Sequence, residues 1–130
     1  MPYYILVTEE QEVEVYTTPE MLTIAEINEL IGSEAVPANF QIVEELSFSD
    51  PSIVMLCDAD AVSKELQPTC LTHNGDIVCG QVLILGTDKS PDDLCLLNLH
   101  QAKLVKEKLK LYPKPVPPEH DFSASLWDID

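Results

Sequence analysis

The stretch IVCGQVLILG, residues 77–86, restricts the fold more than any other part of the chain. Outside Gly80 and Gln81 almost every position is aliphatic. A strand on a sheet surface alternates apolar and polar residues, and this one does not. A strand apolar on both faces belongs at the centre of its sheet. The expectation is one central strand over residues 77–85, with Gly80 marking a bulge or a close backbone approach. Just upstream, Asn74-Gly75 is the strongest short hairpin signal in the chain.

The partners of that strand are legible in part. Residues 3–7 are β-rich. Glu9, Glu10 and Gln11 then make a polar turn, and Glu12-Val13-Glu14-Val15-Tyr16 alternates with period two. That alternation puts Val13 and Val15 on one face and Glu12, Glu14 and Tyr16 on the other, so the pair reads as an N-terminal hairpin with one wet face. FQIVEEL, within residues 35–47, carries a shorter strand signal, and SIVMLC, residues 52–57, reads as a buried strand. Residues 58–70 look irregular, with at most one helical turn near residues 61–66.

Two helices are expected. The first lies in TTPEMLTIAEINELIGS and can start at Thr18-Pro19 or at the capping box Thr23-Ile24-Ala25-Glu26. Ile24, Ile27 and Ile31 share a face, Glu26 and Glu29 lie opposite, and Gly32 is a natural stop. The second begins near Asn98, whose side chain can cap the first turn. Ala102, Val105, Leu109 and Tyr112 would line one face, with Lys103, Lys106, Lys108 and Lys110 toward the C-terminal end of the dipole, and Pro113 would end it. Together these elements give a single α+β domain over residues 1–112: a mostly antiparallel sheet of about five strands, with two helices packed on one face. Residues 113–130 form a Pro-rich acidic segment, expected to be a flexible C-terminal tail.

Charge is the extreme feature of the composition. Among 130 residues there are 23 acids, seven lysines and no arginine, a net charge of -16. Residues 1–63 hold 13 acids and no base, and Lys64 is the first cation. Nucleic-acid and anionic-membrane binding rest on Lys and Arg meeting phosphates. With this balance the chain is expected to contact neither directly. The opening decapeptide MPYYILVTEE lacks the basic start and long apolar run of a secretory signal, so the expected compartment is the cytoplasm. There Cys57, Cys70, Cys79 and Cys95 would be reduced thiols.

No catalytic or cofactor motif stands out, and the chain is read as non-enzymatic, with no cofactor and no metal. The cysteines lack Cys-x-x-Cys spacing and sit in apolar settings, where a thiol acts as a small hydrophobe. Cys79 could pair with His73 or His100 as a nucleophile, but nothing nearby activates a thiolate. Asp58-Ala59-Asp60 could hold a divalent cation or could simply be two acids after a strand end. The acids at Glu9, Glu10, Glu12 and Glu14, with Glu26 and Glu29 as neighbours, can protect an edge strand, aid solubility, or offer a face to a basic partner. In the tail, SLWDID places Leu126, Trp127 and Ile129 among acids. Trp127 there is a candidate docking anchor, or a cover for the domain's own apolar surface.

The stretches IGSEAVP (31–37), IVMLCDADAVSKELQPT (53–69), GDIVCGQVLILGTD (75–88) and LCLLNLHQAKLVKEKL (94–109) resemble a family of small bacterial and phage proteins, the domain of unknown function numbered 3846. The likeness covers about residues 3–110. Gly32-Ser33 stands where members carry Gly-Gly, and Cys57-Asp58 where they carry Asn-Glu. What the resemblance implies is a setting, accessory proteins of phages and mobile genetic elements, and not a reaction. On that basis the expected function is an acidic interaction protein in the cytoplasm of a bacterial host. It would bind and inhibit a basic host protein, such as a defence nuclease, by nucleic-acid-like charge mimicry. Its expected partner-binding residues are Glu9, Glu10, Glu12, Glu14, Glu26, Glu29 and Trp127. The alternatives are a module that sequesters a metabolite or nucleotide in a pocket near residues 58–76, and a homo-oligomeric structural protein.

Overall fold

The computed structural model describes residues 2–32, 37–43, 48–88 and 93–113. The elements run β1 (Tyr3–Val7), β2 (Val13–Thr17), α1 (Ile24–Ile31), β3 (Phe40–Ile42), β4 (Ile53–Asp58), β5 (Pro68–Leu71), β6 (Ile77–Cys79), β7 (Val82–Thr87), β8 (Leu94–Cys95), α2 (Leu99–Lys108) and β9 (Lys110–Leu111). The class is α+β, as the sequence implies. The main sheet has six strands in the order β2-β1-β7-β4-β3, with β8 added to the end of β7, and every pairing is antiparallel. A second, three-stranded sheet runs β6-β5-β9.

Residues 77–85 are not one strand. The chain leaves β6 at Gly80, re-enters as β7 at Val82, and so belongs to two sheets. Gly80 has φ +79°, and a Cβ there would stand 2.7 Å from the Leu66 side chain. A left-handed backbone against a packed leucine is a position only glycine fills without strain. Gly75, at φ +93°, turns the β5–β6 hairpin in the same conformation, as the Asn-Gly pair anticipates. β5 itself occupies part of the stretch that reads as irregular.

β7 is buried along its whole length. Val82 and Ile84 face one side, with Ile5, Val7, Ile53, Met55 and the α2 residues Ala102 and Val105. Leu83 and Leu85 face the other, with Leu6, Leu56 and the α1 residues Ile27 and Ile31. The two helices therefore cover opposite faces of the sheet, not one face as expected. A central strand apolar on both sides requires this, because a single helical layer would leave one row of leucines in water. Cys70 and Val78 of the small sheet pack on the α2 side and complete that layer.

The capping box decides where α1 starts: the Thr23 hydroxyl accepts the Glu26 N–H, and the Glu26 carboxylate accepts the Thr23 N–H. Ile24 is 68% exposed, contrary to the expected apolar face. It is the first helical residue, and the helix buries only Ile27 and Ile31, the isoleucines one and two turns further on. At the far end, the Gln81 side-chain amide donates to the carbonyls of Leu30, Ile31 and Gly32. It satisfies acceptors that a helix C-terminus leaves open. α2 carries the expected Asn98 cap, reciprocated by Gln101. It ends at Lys108, a turn earlier than the periodicity implies. Lys110 and Leu111 instead pair with Leu71 and Cys70 as β9, and the Tyr112 N–H donates to the Thr69 carbonyl. The residue before a proline disfavours the helical region, and the open edge of β5 supplies backbone partners that a last helical turn lacks.

Candidate functional site

β2 forms one margin of the main sheet. Its register with β1 pairs Tyr4 with Tyr16 and Leu6 with Glu14. The hairpin closes through Thr8 N–H to the Glu12 carbonyl, and the Thr18 N–H donates to the Pro2 carbonyl beyond the other end. Hydrogen-bonded pairs recur at every second residue of an antiparallel ladder. Glu14 and Tyr16 therefore turn their backbone groups inward to β1, and Val13, Val15 and Thr17 turn theirs outward. Among the described residues no strand pairs with that outer edge.

Side chains follow the same parity. Glu12, Glu14 and Tyr16 project on the α1 side and Val13, Val15 and Thr17 on the α2 side. The valines were expected to lie inward and the glutamates to be wet. In the fold, Val13 is 39% and Val15 40% exposed, while Glu14 is half-buried beside its cross-strand partner Leu6. The reason is position: a marginal strand reaches past the helix that covers its neighbours. Tyr16 stacks on Tyr4 at 5.1 Å, and its hydroxyl donates to Glu14 Oε1 at 2.7 Å. That bond holds the Tyr16 hydroxyl above its ordinary pKa, because it favours the protonated phenol. Tyr4 is raised as well, first by burial and then by the charge of Glu26.

The expected acidic face is thus assembled in part. Glu9 and Glu10 occupy the hairpin turn, Glu12 stands exposed at the start of β2, and Glu26 comes within electrostatic reach of Tyr4. Glu26 also has the local duty of closing the capping box. Glu29 is exposed on α1. Trp127, with Leu126 and Ile129, lies outside the described residues. Among the described lysines, Lys64 pairs with Asp58 at 2.6 Å, Lys110 donates to the His73 carbonyl, and Lys108 sits 4.0 Å from Glu107.

The sequence places Gln11 in the polar turn and gives it no further role. It has φ +65°, closing a three-residue loop whose last position is left-handed. Its amide donates to the carbonyls of Thr69 and Tyr112, tying the acidic turn to the small sheet. Those partners lie 58 and 101 residues away, so no local signal could name them.

The second feature is a cleft of about 250 Å³ between β3, the end of β4 and β6. Ile42, Val43, Ala61 and Val78 line it, with Val62 and Ile77 at 86% and 55% exposure. Asp58 is buried at its base, 3% exposed. Its Oδ1 accepts the Asp60 N–H and its Oδ2 accepts Lys64 Nζ. Both oxygens of the suspected cation ligand therefore have partners inside the chain, and the acid shapes the turn after β4.

No disulfide joins the four cysteines. Burial pushes the Cys70 thiol up to about 11, and Cys95 is raised by burial and by Asp88 and Asp93, so neither is an activated thiolate. Among the described residues no group of three or more His, Cys, Asp or Glu is placed to hold a metal ion, and no helix is long and apolar enough to cross a membrane. Searches of protein-family models, curated proteins and solved structures found no match to this chain.

Proposed function

We propose that this chain is a non-enzymatic interaction protein that binds and inhibits a basic protein through the acidic margin of its main sheet. The charge there would stand in for nucleic-acid phosphate. The observation that carries the reading is the β2 margin itself: Glu9, Glu10, Glu12 and Glu14 gather at one hairpin, with Glu10 and Glu12 exposed and Glu9 and Glu14 half-buried. Opposed charge accelerates encounter and rejects acidic or neutral competitors. A bacterial host, a phage or mobile element as source, and a defence nuclease as target rest on the family resemblance alone.

The test is affinity capture from a bacterial lysate at low salt, followed by association kinetics of the recovered protein. A basic partner should associate more slowly as ionic strength rises, since exposed charges are screened beyond about 10 Å at 0.1 M. Changing Glu10, Glu12 and Glu14 together to Gln should slow association and leave the fold intact. A partner that binds the triple variant at the wild-type rate, independent of salt, ends this reading.

The cleft favours a second reading, a module that sequesters a small ligand. It lies beside residues 58–62, polar groups of Gln41 and Asp58 share its lining with Ile42, Val43 and Val78, and the exposed Val62 and Ile77 border it. Native mass spectrometry of the purified protein decides this case. A co-purifying small molecule lost on Val62→Asp supports the ligand module.

A further inference from the structure

The β2 margin offers more than charge. It presents outward backbone groups at Val13, Val15 and Thr17, two exposed valines on one side, and the carboxylates of Glu12 and Glu14 on the other. We infer that the partner contributes an extended segment of alternating basic and aliphatic residues, which adds to β2 as a further strand of the main sheet. The inference rests on the proposed acidic-surface reading and specifies what the surface recognises.

The pattern follows from the pleat. A strand laid against β2 sends alternate side chains to opposite faces. Those beside Val13 and Val15 gain by being aliphatic, since that is exposed apolar surface. Those beside Glu12 and Glu14 gain by being Lys or Arg, because opposite charges directly across a ladder attract and like charges repel. The same rule excludes other occupants. A second copy of this chain pairing through β2 would bring its own Glu12 and Glu14 against these carboxylates. An acidic segment is rejected in the same way, and an all-aliphatic one leaves both glutamates unanswered. The Tyr16 hydroxyl engages one oxygen of Glu14 and leaves its charge in place. The main-chain bonds of an added strand supply affinity, and the alternating side chains supply selection.

The experiment uses the full chain and three synthetic peptides, followed by fluorescence anisotropy. The first alternates lysine and valine over seven residues. The second has the same composition with the lysines grouped together. The third is the alternating peptide N-methylated at every second residue, on the edge that would face β2. The alternating peptide should bind, and the grouped and N-methylated peptides should bind about tenfold weaker or worse, a loss of roughly 1.4 kcal/mol. Val15→Pro should weaken the alternating peptide to a similar degree. Its lost N–H points away from β1, so the native ladder is kept, and circular dichroism checks the fold. If Val15→Pro does not fold, the N-methylated peptide alone carries the test. Equal binding of all three peptides, or no binding of any, overturns strand addition. If the peptides bind equally but weaken with salt and with Glu12→Gln plus Glu14→Gln, the acidic surface survives as a charge-only site. If peptide binding ignores both salt and those substitutions, the acidic reading fails as well.

Discussion

β7 and β2 belong to the same sheet, differ in length by one residue, and are separated only by β1. β7 is buried at every position, and β2 is exposed at four of its five. Both are β-branched or aliphatic enough to read as strands. What separates them is where each sits in the sheet, because burial depends on having neighbours on both edges and cover on both faces. The central strand holds the molecule together. The marginal strand keeps backbone groups and two valines in water beside the exposed Glu12, where they are available to something else.

The largest test of this contrast is truncation at the centre. Leu83→Ala should cost roughly 2–5 kcal/mol, as deletions in closed cores do, whereas Val15→Ala on β2 should cost less than about 1 kcal/mol. Urea midpoints measured side by side check both values, and equal losses would mean that β2 is covered as fully as β7.

Alkaline pH gives the second test. Cys70 lies in the core layer under α2, and its thiol is raised from 9.0 to about 11. A pKa higher in the folded state means that the unfolded chain loses its proton first. This contribution is complete below pH 9 and is lost as pH rises toward 11, by about 3 kcal/mol at most. Cys70→Ala should flatten the fall in stability across that window in chemical denaturation at pH 8 to 11. Glu14→Gln, at the margin and on the other face of the sheet, should leave the Cys70 contribution in place. Its visible effect should be a lower Tyr16 titration midpoint, read by ultraviolet absorbance, since the carboxylate that favours the phenol is gone.

A third test concerns the join between margin and interior. Gln11→Ala removes two donors to the small sheet and keeps a side chain in a left-handed backbone, so it should cost about 1–2 kcal/mol. Gln11→Gly relieves the backbone and should cost less. If Gln11→Ala is neutral by thermal denaturation, the hairpin stands without its anchor.

The smallest expected change is at the carboxylates. Glu10, Glu12 and Glu14 changed together to Gln should shift stability by no more than about 0.5 kcal/mol, or raise it slightly by relieving repulsion. A large loss of stability would move these residues from a binding surface into the fold.

Several elements were legible because their causes are local. Thr23 with Glu26 and Asn98 with Gln101 are reciprocal caps spaced three apart, and both formed. Asn74-Gly75 named a hairpin because a left-handed turn there is tolerated by glycine. The period-two run at residues 12–16 named a strand and placed its glutamates together on one face. The acidic row of the candidate site was readable for that reason. Its exposed valines were not, since alternation tells which residues share a face and not whether that face is covered. The Gln11 anchor and the cleft were not readable either, because each joins segments distant in the sequence.

The sequence by itself determined that this chain is an α+β protein with two capped helices, an aliphatic central strand and an acidic first half, because hydrophobic period, capping chemistry and turn residues act over a few neighbouring positions. Tertiary structure decided the rest. It split residues 77–85 between two sheets at Gly80, where the backbone passes against Leu66. It put the helices on opposite faces, because both sides of β7 need cover. It ended α2 at Lys108, because β5 had an unpaired edge to offer Lys110 and Leu111. It also left β2 at the margin of the sheet, where strand order, which no local pattern encodes, turned an ordinary amphipathic strand into an exposed one.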